Sequence, residues 1–186
     1  MSAELTPRRR KLVLAVVALA LMMVVSAVSG LNVALPDLST ATGASQTQVI
    51  WIVDAYTLVF VGFLLPAGAL GDRYGRKGTL LAGLAIFGTA AAAAMFVSSP
   101  TSLIVLRAVM GLGAAAVMPS TLSIITTSFP EEERGRAVGV WVGVAGGGAV
   151  LGLLASGALL EFFAWSSFFG LNVTLAVVAL VTALAA

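Results

Sequence analysis

The sequence predicts an all-α integral membrane protein, a six-transmembrane-helix bundle, and three observations predict it. Of its 186 residues 60% are hydrophobic and only 10% charged, with a mean hydropathy of +1.08, whereas a water-soluble domain carries about 25% charged residues. Apolar segments recur at 12–35, 49–70, 79–97, 103–126, 137–160 and 168–186, each near the ~20 residues that a helix needs to cross about 30 Å of hydrocarbon. No strand-like alternation runs through them, so the backbone must satisfy itself within helices rather than in a closed barrel.

The first span follows a basic tail, residues 1–11, that carries Arg8, Arg9, Arg10 and Lys11. Ser26-Ala27-Val28-Ser29 could end a cleaved signal peptide, but the apolar character continues through Leu31 to Leu35, beyond the usual core of ~7–15 residues. A retained span is therefore expected. Polar residues 36–48 separate it from the second span, and residues 68–80 form a short charged hairpin that makes the second and third spans antiparallel neighbours. Residues 98–102 surround Pro100, and residues 129–136 hold Pro130 and three glutamates, Glu131, Glu132 and Glu133, suited to the start of a helix. In the fifth span Gly143, Gly148 and Gly152 predict close helix contact, with the Gly148/Gly152 pair expected to press across a moving interface. Trp51, Trp141 and Trp165 lie near span ends, as interfacial anchors do.

Lys and Arg fall in the tail, in the second-to-third turn and in the fourth-to-fifth turn, while the alternate turns have none. The positive-inside rule then places the amino terminus in the cytoplasm of a multi-pass protein of the plasma (inner) membrane. The net charge of +2 reports this topology and implies no nucleic-acid partner. With no cysteine and no histidine, thiol chemistry and the commonest metal ligand are excluded. No enzyme activity, cofactor or metal is expected, and no phosphate-binding glycine loop supports ATP-driven work.

Ionisable groups within spans are costly and therefore candidates for function. Asp54 and Arg107 are the two clear cases, each about five residues, roughly 8 Å, inside its span. A carboxylate that takes up either a proton or a cation, beside a guanidinium, would suit a proton-coupled switch; a structural ion pair or snorkelling is the alternative. Trp51 and Tyr56 flank Asp54 at helical spacing and could line a cation site.

The hairpin Gly68-Ala69-Leu70-Gly71-Asp72-Arg73-Tyr74-Gly75-Arg76-Lys77-Gly78-Thr79-Leu80 resembles the motif between the second and third helices of the major facilitator superfamily. Residues 103–115 with Arg107, Gly111 and Gly113 resemble its fourth-helix motif, although Met110 replaces a frequent glutamine. Leu31-Asn32-Val33-Ala34-Leu35-Pro36, Trp51 to Tyr56, Met118-Pro119-Ser120-Thr121-Leu122-Ser123 and Leu159-Leu160-Glu161 with Trp165 are similar to the fourteen-helix drug:proton antiporters, in the branch that exports quaternary ammonium compounds and other lipophilic cations. The resemblance implies the amino-terminal half of that fold, a small-molecule substrate exchanged for protons across the bilayer, and alternating access by rocking of two six-helix halves. It gives Asp54 and Arg107 substrate and proton roles, and makes Gly68, Asp72, Arg73, Gly75, Arg76 and Lys77 a conformational latch. The partner implied is a carboxy-terminal half or a second six-helix chain, this chain being read as a fragment of a larger protein. A metabolite permease and a non-transporting membrane protein are the alternatives. The sequence departs from the branch at Ala27, where an acid is usual, and at Ala149, Leu153 and Ser156 in the fifth span.

Overall fold

Gly30 interrupts the first long helix, dividing it into two elements. The computed structural model describes residues 7–185; Met1 to Thr6 of the basic tail and Ala186 lie outside the described residues. In chain order the helices are α1 (Pro7–Ser29), α2 (Leu31–Thr42), α3 (Gln46–Tyr74), α4 (Arg76–Ala94), α5 (Pro100–Ser128), α6 (Glu131–Phe162) and α7 (Ser167–Ala185). All but the 12-residue α2, which prolongs α1 beyond the break, are long and apolar enough to cross a membrane, giving an all-α bundle of six candidate spans.

The helices overrun the apolar segments, for reasons of capping. The expected polar break at 36–48 is helical as far as Thr42; the hydroxyls of Ser39, Thr40 and Thr42 are accommodated by bonding to carbonyls three or four residues back, at 2.7–3.0 Å. Gly43, in the left-handed conformation with φ 66°, stops the helix. Ser45 and Gln48 then form a capping box that starts α3. The charged hairpin shrinks to a single residue: α3 continues through Tyr74, α4 begins at Arg76, and Gly75 turns the chain at φ 105°, a conformation that favours glycine. The basic residues Arg8 to Lys11, read as tail, belong to the first turns of α1.

Helix α5 is the centre of the bundle, packed mainly against α3 and α4, while α1 packs against α6 and α7. Two glycine contacts let α5 in. A Cβ on Gly83 of α4 would lie 2.8 Å from the Gly113 carbonyl oxygen, and one on Gly113 would lie 2.7 Å from that of Gly83. On the other side a Cβ on Gly111 would overlap the Tyr56 carbonyl oxygen of α3. Backbone cannot yield as a side chain does, so Gly111→Val is expected to cost about 3 kcal/mol, the upper end of the usual overpacking range. The measurement is thermal unfolding of the detergent-purified protein; an unchanged midpoint would show that α5 can withdraw.

The glycine pair in α6 corrects an expectation. Gly148 and Gly152 face α1 of the same bundle, not a moving interface: a Cβ on Gly152 would lie 2.5 Å from Ser26 Cβ, and one on Gly148 3.4 Å from Met22 Cα. The small residues Ser26 of α1 and Gly30 at the break complete the crossing, Gly30 meeting Ser156 of α6. Gly143 has nothing within 4 Å and takes no part in this contact.

Candidate functional site

Arg107 is about two turns into α5, and the close approach at Gly111 one turn later holds it against α3. Its side chain is buried, with 1% of the residue exposed. Nε donates to the Ile52 carbonyl of α3 at 3.0 Å and Nη1 to the Ala27 carbonyl of α1 at 3.2 Å. The guanidinium carbon lies 4.3 Å from the centroid of the Tyr56 ring, a cation–π contact in a desolvated setting. Tyr56 is itself fixed, its hydroxyl donating to the Val24 carbonyl at 3.0 Å.

The Ala27 carbonyl is available because of Gly30. The last carbonyls of a helix lack intrahelical donors, and Ala27 lies in the last turn of α1. Arg107 satisfies its carbonyl, and the Asn32 side chain satisfies that of Val28 at 3.0 Å. A residue read as part of an ionic switch thus also caps a helix break. The signal in the sequence was Gly30 with Asn32 just after it, in a run whose other polar residues are Ser26 and Ser29.

Asp54 is not joined to Arg107. The ion pairs among the described residues are Arg10 with Glu133 and Arg76 with Asp72, both at 3.2 Å. On a helix of 3.6 residues per turn Asp54 lies about 160° around α3 from Tyr56, so Tyr56 is buried while Asp54 is exposed on the opposite side. The expected grouping of Trp51, Asp54 and Tyr56 therefore divides. Trp51, 49% exposed, keeps Asp54 company on an open stripe continued by Leu58, Val61 and Leu65; Tyr56 holds the protein's own cation. Trp141, expected as an anchor, is half-buried and donates to Thr121 Oγ1 at 3.2 Å.

The Gly75 hairpin is tied to the end of α5. Arg76 donates through Nε and Nη2 to Asp72 Oδ1 at 3.3 and 3.2 Å, and through Nη1 to the Ser123 carbonyl at 3.3 Å. Gly68 and Gly71 give α3 its approach to this part of α5: added Cβ atoms would lie 3.6 Å from Pro119 Cβ and from Ser120 Oγ, respectively. Arg73 and Lys77 point elsewhere. Arg73 lies 5.3 Å from the centroid of the Tyr74 ring, and Lys77 borders a cavity of about 240 Å³ with Val13, Leu80, Ser128 and Ala183. Of the six latch residues, Gly68, Asp72, Gly75 and Arg76 make one structure.

Comparison with known proteins gives this arrangement a family. Residues 14–186 match the model of the Major Facilitator Superfamily. The chain is 43% identical over 171 residues to the methyl viologen resistance protein SmvA of Salmonella typhimurium, covering 91% of this chain and 34% of that protein. It is 39% identical over 169 residues to the multidrug efflux pump LfrA of Mycolicibacterium smegmatis, covering 90% and 34%. The chain thus spans about a third of the length of these relatives. In fold it is similar to a crystal structure of a bacterial homologue of the human lysosomal transporter Spinster, with a TM-score of 0.77 at 20% identity over 97% of this chain and 43% of that one. It is also similar to an auto-inhibited peptide transporter of the POT family, with a TM-score of 0.80 at 18% identity over 94% and 37%. With its six apolar helices and the charged hairpin between α3 and α4, this chain belongs to the Major Facilitator Superfamily.

Proposed function

We propose that the chain supplies one six-helix half of a proton-coupled exporter of lipophilic cations, with its amino terminus cytoplasmic in the plasma (inner) membrane. The observation that carries this reading is Asp54: a carboxylate within a span, on an open apolar stripe of α3, without an ion-pair partner among the described residues. A carboxylate in such a place needs a cation or a proton to neutralise it. Trp51 offers a ring face beside it to a cation that is itself apolar. A second six-helix unit, from the rest of a longer chain or from another chain, closes the pathway over that stripe. Ala27, fully buried, leaves Asp54 as the acid that this half brings to the exchange. The names of the relatives, drug-resistance and efflux proteins, agree with this reading.

The test is a flux measurement on the natural-length protein in proteoliposomes carrying an inward-acid pH gradient. Adding a lipophilic cationic dye is expected to dissipate the gradient at a rate above that of protein-free vesicles. Dye-independent proton flux, or none, would overturn the exchange reading.

A further inference from the structure

A second surface feature lies away from the Asp54 stripe. Helices α3 and α4 meet at Gly75 but make few contacts beyond it, both resting on α5. The result is a groove of about 440 Å³, walled by Phe63 and Leu70 of α3 and Ile86 of α4 and floored by small residues such as Ala67, Ala82 and Ala116. A Cβ on Gly78, at the mouth, would meet nothing within 4 Å. From Phe63 to Tyr74 the groove follows α3 for 11 residues, about 16 Å at 1.5 Å per residue. That is half of the ~30 Å hydrocarbon core, so it has the length of one leaflet.

The mouth is polar in a particular way. Tyr74, 70% exposed, ends α3 beside the Gly75 turn, and the end of a span is where aromatic residues commonly meet headgroups. The Arg73 guanidinium lies over its ring and belongs to neither ion pair among the described residues. We propose that this groove binds one anionic phospholipid of the leaflet on the Gly75 side, its acyl chain lying along α3 and α4 and its phosphate on Arg73. Length selects an acyl chain and charge selects an anionic head. The proposal rests on the membrane reading alone and is independent of what the protein transports.

The test uses the natural-length protein in nanodiscs of equal phosphatidylglycerol and phosphatidylcholine, with retained lipid read by native mass spectrometry. The wild type is expected to hold phosphatidylglycerol. Ala82→Phe, which fills the groove, loses it, whereas Ala85→Phe, exposed on the same helix outside the groove lining, keeps it. Arg73→Gln lowers the preference for phosphatidylglycerol about fivefold, the effect of one basic residue near a membrane surface. Equal retention in wild type and Ala82→Phe, or an unchanged headgroup preference in Arg73→Gln, would overturn the proposal. So would a lipid-free protein in which Ala82→Cys is joined to another segment of the protein by a thiol-to-amine cross-linker.

Discussion

Efflux of a lipophilic cationic dye from cells falls to background when Asp54 is replaced by asparagine, while protein level and thermal stability stay as in the wild type. The two halves of this expectation have different physical grounds. Asparagine has nearly the shape of aspartate but neither attracts a cation nor releases a proton at any working pH, so a pathway that uses this carboxylate stops. Stability is spared because Asp54 is exposed on the open stripe and outside the ion pairs of the described residues; substitutions at such positions usually stay within about 0.5 kcal/mol. Asp54→Glu keeps the charge on a longer arm and is expected to retain part of the efflux. Dye efflux and thermal unfolding, measured on the same preparations, separate the outcomes. Full efflux by Asp54→Asn would remove the residue from the mechanism, and lost efflux with a lowered unfolding midpoint would make it a structural residue.

Composition and charge placement were enough to read the helices, because a bilayer permits few alternatives to an apolar run of sufficient length. What packs against what was less legible. A soluble helix advertises its buried side by one apolar stripe, but spans that are apolar all round carry no such label. Spacing therefore put Trp51, Asp54 and Tyr56 together, whereas packing turned Tyr56 inward onto Arg107 and left the other two outside. The same blindness assigned Gly148 and Gly152 to a moving interface instead of to α1, since small residues announce closeness without naming the neighbour. The tie across the break at Gly30 was hidden for another reason. Gly30 and Asn32 mark the place, but the donor to the Ala27 carbonyl is an arginine 80 residues further along the chain, which no local pattern names. The hairpin motif fared better because the signal is local: Gly75 needs its positive φ, and Asp72 reaches Arg76 across one helical turn.

Arg107→Lys is expected to destabilise the bundle more than Arg107→Met, the reverse of what conservation of charge suggests. The guanidinium reaches two helices at once, Ile52 of α3 and Ala27 of α1, and lies on the Tyr56 ring. A lysine ammonium is a point charge on a flexible four-carbon stem and cannot reproduce that fork. It keeps a buried charge while losing part of what solvates it, at a cost of several kcal/mol. Methionine is apolar and flexible enough to fill most of the space. It brings no charge to bury. The Ile52 carbonyl remains inside continuous α3, so the main loss is the Ala27 carbonyl at the break, about 1–3 kcal/mol. Unfolding midpoints of the two variants decide the order. If lysine proves the milder change, the positive charge itself holds the break. If methionine does, packing rather than charge keeps α1 and α2 joined at the break.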